Sequence, residues 1–425
     1  MIPSALERPE KFSLKEVLIA PVIVGALGYF VDIYDLILFS IVRVPSLKAL
    51  GLEGQALLDT GVTLINLQMF GMLLGGIAWG MLGDRKGRIS VLFGSIALYS
   101  VANLLNAFVT NTTQYGILRF IAGVGLAGEL GAAITLVSES LPRQIRGYGT
   151  TIVATVGILG AVFGGFISEY FTWRTSYIIG GLLGIALLIL RIQLRESGIF
   201  KAVKQNETVR RGDLSLLLSN SYRRMKYLRC ILIGVPLWFV VGVLMTFAPE
   251  LGVALGLTGP VTGAMAILFG YGGIAAGDLA SGLLSQRLQN RRWTVGAFLV
   301  ATLAFIFVYG MAKGASPEMF YLICFSLGLS VGYWALFVTI AAEQFGTNLR
   351  ATVAISVPNF VRGSVVLFTL IFRSLSKEYG LVPSAMVVGT ISVLIAFFGL
   401  YGMEETFGKE LGYLETDDPP TGMSL

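Results

Sequence analysis

Histidine is absent from this chain of 425 residues, and cysteine occurs only twice, as Cys230 and Cys324. A histidine metal ligand, general base or proton relay is therefore excluded, and any proton chemistry must use carboxylates. Both cysteines fall inside long apolar runs, so we interpret them as small core residues rather than as a disulfide or a metal site. The sequence also lacks a phosphate-binding loop, a nucleophile–base arrangement and a metal-ligand cluster, so we predict neither an enzyme nor a cofactor.

Charged residues are scarce as well. They make up 13% of the chain against 55% hydrophobic residues, and the mean hydropathy is +0.78. Such a composition predicts an integral membrane protein, because a soluble domain could not bury so much apolar surface. The net charge of +6 does not indicate a nucleic-acid partner, since the basic residues fall in short loops between apolar runs. The expected partners are a small-molecule substrate, protons and the lipid bilayer.

The apolar runs predict an all-α membrane protein with twelve transmembrane helices. The run from about Val17 to Val42 is too long for a signal-peptide core and lacks a cleavage site, so it counts as helix 1. Each run can cross about 30 Å of hydrocarbon. The predicted helices lie at about 16–43, 59–82, 89–109, 112–139, 147–170, 173–195, 228–250, 259–284, 293–313, 317–342, 350–375 and 382–403.

The basic residues predict the orientation. Most lysines and arginines fall in the segments that lie on the same side as the N-terminus, including Arg8, Lys11, Arg143 and the basic run between Arg191 and Arg229. By the positive-inside rule both termini are cytoplasmic. We therefore predict a multi-pass protein of the cell membrane, in bacteria the inner membrane, and expect a monomer.

A charged segment and weak internal repeats divide the chain. We predict an N-terminal half at 1–195, a cytoplasmic linker at 196–227, and a C-terminal half with a cytoplasmic tail at 228–425. The segment Glu139–Arg146 recurs as Glu343–Arg350, each after the fourth helix of its half. The ends of the halves, 195–197 and 404–406, are also similar. Two parallel six-helix repeats predict rocking of one half against the other around a site near the midplane.

The turn between helices 2 and 3 carries a family resemblance. Residues Gly80–Arg88 read G-x-L-x-D-R-x-G-R, which resembles the signature loop of the major facilitator superfamily of secondary transporters. In helix 1, Asp32 and Asp35 are similar to an acidic motif of the metabolite:proton symporters, and helix 4 from Arg119 to Glu129 is similar to theirs. The sugar porters share the positions of Arg119 and Glu139. The resemblance implies the major facilitator fold and proton-coupled transport by alternating access.

Six charged residues are the clear cases of charge well inside the predicted helices. Each costs at least ~2.5–3.5 kcal/mol there and therefore needs a reason to be there. They are Asp32, Asp35, Arg119, Glu129, Asp278 and Arg362. At 1.5 Å rise per residue, Asp35 and Arg119 both lie roughly 10–12 Å below the outer ends of their helices, and Asp32 lies one turn deeper on the same face. They can therefore meet.

The resemblance implies that Asp35 and Arg119 form a proton-coupling pair. An aspartate beside an arginine stays ionised, whereas the same aspartate in an apolar cavity takes up a proton when that partner leaves. The predicted proton-coupling residues are Asp35, Asp32, Arg119 and Glu129. The alternative is a static buried network in which the acids satisfy Arg119, and for Glu129 a packing role among the neighbouring glycines.

Arg362 is the predicted anchor for an anionic substrate, because a guanidinium presents a fork of donors that suits a carboxylate. The alternative is a resting pair with Asp32 or Asp278. In this interpretation aromatic residues of helices 7, 8 and 10 line a substrate cavity. The alternative is that they serve packing and lipid contact. The predicted substrate-binding residues are Arg362, Asp32, Trp238, Tyr271, Tyr333 and Trp334.

Charged residues at the cytoplasmic ends of both halves predict a gate. Opposite charges there can pair while the inner side is closed and separate when it opens. The predicted gate comprises Asp84, Arg85, Arg88, Glu139, Arg146, Asp278, Arg291, Arg292, Glu343 and Arg350. The alternative, that the basic residues only set the topology, does not explain Glu139 and Glu343.

These observations predict a proton-coupled symporter of a small organic metabolite. An organic anion is favoured because two intramembrane arginines are available. A proton-driven exporter of drug-like compounds is one alternative, since glycines at 157, 160, 164 and 165 resemble the antiporter motif of drug exporters with Ala161 in place of its proline. A sugar or polyol porter is another. The Asp35–Arg119 pair and the gate argue against a third, a membrane sensor without net transport.

Overall fold

The computed structural model describes residues 14–142, 144–193, 212 and 214–415. The predictions that concern Arg8, Lys11, Arg143, the segment 195–197 and the larger part of the linker 196–227 lie outside the described residues.

Twelve helices in the described part of the chain are long and apolar enough to cross a membrane, as predicted. The same residues contain no β-strand, so the all-α class is confirmed for them. The helices, numbered 1 to 12, are Ala20–Ala49, Asp59–Lys86, Arg88–Asn106, Thr112–Ser140, Arg146–Tyr170, Trp173–Leu190, Ser221–Met245, Gly263–Leu288, Arg291–Gly310, Pro317–Glu343, Arg350–Tyr379 and Leu381–Tyr401.

Helices are the expected solution because a backbone in hydrocarbon must satisfy its hydrogen bonds within its own segment. Polar side chains fix where several of them begin, by accepting a hydrogen bond from a first-turn N–H. Asn111 does this at helix 4, where its Oδ1 accepts from the Gln114 N–H at 2.9 Å. Thr172, Asn220, Thr262, Asn290 and Ser316 act in the same way at helices 6, 7, 8, 9 and 10.

The largest differences from the predicted boundaries are at the end of helix 1 and the start of helix 7. Helix 1 runs to Ala49, beyond the predicted end at 43, and helix 7 begins at Ser221, before the predicted start at 228. Hydropathy measures the apolar thickness that a helix crosses, whereas the helical hydrogen bonds continue into the polar layer. Basic residues such as Arg223 and Lys226 are therefore still helical.

Helices 4 and 10 are each broken in the middle, which the hydropathy did not predict. Helix 4 consists of Thr112–Leu126 and Glu129–Ser140, and helix 10 consists of Pro317–Val331 and Trp334–Glu343. The breaks fall at equivalent places in the two six-helix halves and release backbone groups from the helical pattern. Both breaks contact residues of the candidate site.

The two halves meet mainly through helices 2 and 11 and through helices 5 and 8. Gly80 shows why glycine is needed at this contact: a Cβ atom there would lie 2.9 Å from the Cα atom of Thr352. Small residues allow membrane helices to approach backbone to backbone. Helices 2, 4 and 10 all terminate on one side of the bundle, where the predicted gate residues cluster. We call this side the charged end.

Candidate transport site

Arg362 lies in the middle of helix 11 and is 1% exposed. Its Nη1 donates to Oδ1 of Asn359 at 3.2 Å. Asn359 in turn donates from Nδ2 to the carbonyl oxygen of Ala127 at 2.8 Å, and that carbonyl lies at the break in helix 4. The break in one half therefore helps to position the arginine of the other half.

Two tryptophans flank the guanidinium of Arg362. Its Cζ lies 5.8 Å from the centre of the Trp238 ring and 5.5 Å from that of Trp334. The two ring centres are 6.4 Å apart, and their planes are inclined at 64°. Aromatic faces attract a cation, so helices 7 and 10 hold the guanidinium without neutralising its charge.

One edge of the Arg362 guanidinium has its donors available. Nε and Nη2 are buried and have no hydrogen-bond partner among the described residues. These two nitrogens point the same way and form the side-on pair that a carboxylate binds with both oxygens. The indole nitrogen of Trp238 is likewise buried and without a partner in the part of the chain that the structure describes. The donors thus match an anionic group.

Asp32 and Tyr29 of helix 1 and Tyr271 of helix 8 lie within electrostatic reach of Arg362. Among the described residues Arg362 forms no ion pair within 4.0 Å with Asp32 or Asp278, so neither alternative resting pair is present in this conformation. Arg362 is nevertheless the cation that acts most strongly on Asp32. Tyr29, which the sequence reasoning missed, lies within electrostatic reach of Arg362 and Asp32.

Tyr333 makes packing contacts, which is the alternative to a substrate-binding role. Its hydroxyl donates to the carbonyl oxygen of Ile233 at 2.9 Å, and its ring packs against Phe298 at 6.4 Å. These contacts fasten helix 10 to helices 7 and 9 within the C-terminal half. The structure therefore gives Tyr333 packing contacts directly before Trp334.

Arg119 and Asp35 lie close together but do not form a direct pair. Arg119 donates to Oε1 of Gln68 at 3.3 Å and to Oδ1 of Asn103. The Asn103 amide also lies near the Asp35 carboxyl, outside hydrogen-bonding geometry. Both carboxyl oxygens of Asp35 lack a partner within the described ranges, as do those of Asp32.

Asn103 therefore lies between Asp35 and Arg119, and the sequence did not indicate this position. Asn103 and Gln68 are neutral and change the hydropathy of their helices little, so a pattern of intramembrane charges does not reveal them. A search for amide side chains inside apolar helices would have found them, because a buried amide needs hydrogen-bond partners.

Glu129 is the first residue of the second segment of helix 4, and its carboxylate binds both terminal nitrogens of Arg191. Nη1 of Arg191 lies 2.8 Å from Oε2 and also donates to the carbonyl oxygen of Leu92 at 2.8 Å. Both side chains are fully buried. These contacts join helices 3 and 4 to the turn that directly follows helix 6. In the sequence Arg191 appears only as one of the basic residues that indicate topology.

We expect Glu129→Gln to destabilise the protein, because it leaves the Arg191 charge buried without a counterion. Breaking a buried pair costs about 3–5 kcal/mol, so Tm in detergent should fall by several degrees. The double variant Glu129→Gln/Arg191→Met should recover much of this loss. An unchanged Tm with an altered pH dependence of transport would instead assign Glu129 to the proton path.

Asp278 lies at the break in helix 10 and not in the charged-end cluster. Its Oδ1 accepts from the backbone N–H of Ala335 at 3.1 Å, at the start of the segment Trp334–Glu343. A carboxylate is favourable at a helix N-terminus. Asp278 thus fixes the segment that carries Trp334, a role the hydropathy pattern could not show because it did not reveal the break.

The charged end contains a buried ion-pair network across the two halves. Asp84 accepts from the backbone N–H groups of Ala351 and Thr352 at 3.1 and 2.8 Å, at the start of helix 11. Glu139 accepts from Arg88 at 2.9 Å and from Arg350 at 3.0 Å through the same oxygen. Since Asp84 and Glu139 belong to one half and helix 11 to the other, these contacts hold the halves together.

A second group of the same network surrounds Glu343. Arg146 Nε donates to Oε1 of Glu343 at 2.8 Å, and Arg291 Nε lies 2.7 Å from its Oε2. Only Arg146 comes from the N-terminal half. Arg292 instead donates to the carbonyl oxygen of Tyr401 at 3.1 Å, and Arg85 is exposed.

The segment after helix 12 packs against this network. The Lys409 carbonyl accepts from Arg146 at 2.6 Å and that of Leu411 from Arg350 at 2.5 Å. Glu405 caps helix 9 by accepting from the backbone N–H groups of Arg291 and Arg292, each at 3.1 Å. Desolvation, followed by the positive charge of Lys226, lowers the pKa of Lys409.

We expect Glu139→Gln to favour opening at the charged end, because it removes the carboxylate shared by Arg88 and Arg350. The reporter is Thr339→Cys in a chain whose two native cysteines are replaced. Thr339 is 1% exposed and contacts Thr150 of the other half at 3.1 Å. Its labelling rate should rise roughly tenfold or more.

The matched control is Lys86→Gln, which removes an exposed charge from the end of helix 2. It should leave the labelling rate unchanged. An unchanged labelling rate in Glu139→Gln as well would mean that these charged residues only set the topology and do not form a gate.

The opposite end of the bundle is also bridged. Arg373 of helix 11 lies 3.0 Å from Asp59 of helix 2, and both side chains are about half exposed, at 46% and 51%. Between the ends, a cavity of about 30 Å³ reaches Trp238 from Ser40 and Thr246. This space holds about one water molecule and is far smaller than the roughly 300–1,000 Å³ of small-molecule pockets.

Comparison with known proteins agrees with this architecture. The profile of the Major Facilitator Superfamily matches residues 25–368. The niacin transporter NiaP of Acinetobacter baylyi is 27% identical over 319 residues, which cover 68% of this chain and 72% of that protein. The gentisate transporter of Corynebacterium glutamicum is 26% identical over 406 residues, 89% of this chain and 86% of that one.

Among solved structures, the proton:xylose symporter XylE is similar with a TM-score of 0.77 at 16% identity, covering 94% of this chain and 98% of its own. That likeness concerns the fold. The chain belongs to the Major Facilitator Superfamily. It is a multi-pass membrane transporter of small molecules and not an enzyme, which confirms those predictions.

Proposed function

We propose that the protein is a proton-coupled symporter of small aromatic carboxylates, with both termini in the cytoplasm. One observation carries the proposal: the Nε and Nη2 edge of Arg362 is buried, without a partner among the described residues, between two tryptophans. A carboxylate that binds this edge side-on places the group attached to it beside the indole rings. A flat aromatic ring suits that position, since offset and edge-to-face ring contacts are favourable.

The relatives support the same class of substrate. Niacin and gentisate, which the names of two relatives give as their substrates, each combine one aromatic ring with one carboxylate. A sugar or polyol has neither, although the fold resembles that of a sugar symporter. The buried cation and the paired tryptophans therefore favour the aromatic acid over the sugar alternative.

Proton coupling is assigned to Asp35, with Asp32 beside the substrate. Asp35 is fully buried, and a buried carboxylate without a partner is costly unless it binds a proton. Arg119 lies near it, held by Gln68 and Asn103. When rocking brings Arg119 onto Asp35, the ionised form is favoured and the proton leaves. The network at the charged end then acts as the inner gate.

Binding of two molecules that differ in one group, a carboxylate or a carboxamide, tests the substrate class. Nicotinate and nicotinamide share a ring, but only nicotinate offers a carboxylate to Arg362. The acid should bind the purified protein about 10- to 100-fold more tightly, as expected for charge-assisted hydrogen bonds. Calorimetric titration measures both affinities, and equal affinities would refute an anion site.

A second pair tests the aromatic part. Benzoate should bind more tightly than cyclohexanecarboxylate by about 2- to 10-fold, the range expected for aromatic contacts. A preference for the saturated acid would be compatible with an anion site at Arg362 but would show that the tryptophans do not recognise the substrate.

A further inference from the structure

The chain leaves the helical pattern after helix 12 and continues across the charged end. Residues 404–415 form neither helix nor strand, and we call this segment the strap. Its direction changes at Gly408, whose φ of +74° glycine adopts without steric cost. Because no helix uses the carbonyl oxygens of the strap, they are available to accept hydrogen bonds from side chains.

Two of these carbonyls bind gate arginines, one from each half. The carbonyl oxygen of Lys409 accepts from Nη2 of Arg146 at 2.6 Å, and that of Leu411 accepts from Nη2 of Arg350 at 2.5 Å. Each arginine also forms an ion pair with a glutamate of the network. Since Arg146 belongs to the N-terminal half, its bond to Lys409 crosses between the halves and must break when the charged end opens.

The rest of the strap is fastened to the turn between helices 10 and 11. The carbonyl oxygen of Tyr413 accepts from the N–H of Thr347 at 2.9 Å, and its hydroxyl donates to the carbonyl oxygen of Gln344 at 2.9 Å. The N–H of Glu415 donates to Oδ1 of Asn348 at 2.9 Å. All these partners belong to the C-terminal half, so the strap is part of that half and reaches from it to the other.

The strap also covers the network. Leu411 is 6% exposed, and the ring centre of Phe407 lies 5.6 Å from Cζ of Arg291. Beneath the strap, Arg350 and Glu343 are fully buried, although they lie at an end of the bundle. Ion pairs that are kept from water attract much more strongly than exposed ones. Displacing the strap would therefore weaken the ion pairs of the network as well as its own contacts.

We propose that the strap is a brake on opening at the charged end. It binds gate arginines of both halves and keeps water from their ion pairs, so this end opens more often when the strap is displaced. None of the strap contacts described above involves Arg362, Asp32 or Asp35. The brake is therefore independent of which molecule the central site transports.

Labelling of Thr339→Cys in the full-length protein without its native cysteines tests the proposal. Leu411→Ser removes the buried side chain that seats the strap. The labelling rate should then rise roughly three- to tenfold, the effect of losing about one hydrogen bond. Leu414→Ser is the matched control, because it makes the same change at a position that is 37% exposed, and it should leave the rate unchanged. No substrate is added, so the result does not depend on the proposed function.

A second reporter distinguishes a brake from general loosening of the fold. Thr369 is 5% exposed and lies in helix 11 toward the opposite end. Leu411→Ser should not raise the labelling rate of Thr369→Cys. A rise at both reporters, or an equal rise at Thr339→Cys in Leu414→Ser, would overturn the proposal.

Two deletions provide a second way to displace the strap. Deletion of residues 408–425 removes both carbonyls that bind the gate arginines, whereas deletion of 418–425 leaves the strap in place. Only the longer deletion should raise the labelling rate of Thr339→Cys. An unchanged rate in both the longer deletion and Leu411→Ser would overturn the proposal, as would a rise of the same size after the shorter deletion.

Discussion

Arg362→Lys should weaken the binding of benzoate by about 10- to 100-fold, because the lysine keeps the charge but loses the fork. In the proposed complex the side-on edge of the guanidinium binds both carboxylate oxygens, and an ammonium is a compact charge that cannot do so. Lysine also lacks the flat face that fits between Trp238 and Trp334. Two charge-assisted hydrogen bonds account for the size of the effect, and calorimetric titration measures it.

The matched control is Arg373→Lys, on the same helix at an exposed position. It should leave benzoate affinity unchanged, and both variants should keep a Tm near that of the unmodified protein. Undiminished affinity in Arg362→Ala would remove this residue from the binding site, whatever the lysine variant shows.

Asp35→Asn should abolish accumulation while it preserves exchange. The amide imitates the protonated carboxyl, so the protein should still bind the acid and exchange labelled for unlabelled substrate across the membrane. Symport of one proton with one monovalent acid should give about tenfold accumulation per unit of pH gradient, since one unit corresponds to about 1.36 kcal/mol. In the variant that ratio should fall to about one.

Asp32→Asn is the control for this experiment. Asp32 lies on the same face of helix 1, but Arg362 is the cation that acts most strongly on it, so its loss should affect substrate affinity more than coupling. If Asp35→Asn abolishes exchange as well, Asp35 has a structural role. If gradient-driven uptake survives intact, the proton site lies elsewhere.

Simple physical signals in the sequence predicted the twelve helices and the set of intramembrane charges. A membrane-spanning run must be long and apolar, and each charge within it is costly enough to stand out. The charge of Arg362 stands out in this way, and the structure places Trp238 and Trp334 beside it. Residues of the charged end also pair across the two halves, since Glu139 binds Arg350 and Glu343 binds Arg146.

Features that depend on neutral groups were not predicted. The breaks after Leu126 and Val331 leave hydropathy unchanged, so they are invisible to an apolar scan even though Asn359 and Asp278 depend on them. The position of Asn103 between Asp35 and Arg119 was not predicted for a similar reason, since a neutral amide changes hydropathy little. Depth along a helix predicted that Asp35 and Arg119 lie at one level. Depth does not show which side chains accept hydrogen bonds from the Arg119 guanidinium.

Partners that lie far apart in the sequence were also missed. Arg191 follows Glu129 by 62 residues, and the carbonyl oxygens of Lys409 and Leu411 meet arginines of both halves. Backbone carbonyls carry no residue identity, so no motif marks such contacts. They follow only once the packing of the helices is known.

Uptake by the purified protein in liposomes tests the central claim most directly. With the interior more alkaline than the exterior, labelled gentisate should accumulate well above its level in protein-free liposomes, and a protonophore should abolish the excess. Nicotinamide should not accumulate. Uptake of gentisate that is independent of the pH gradient, or accumulation of the amide to the same ratio, would contradict proton-coupled transport of aromatic carboxylates.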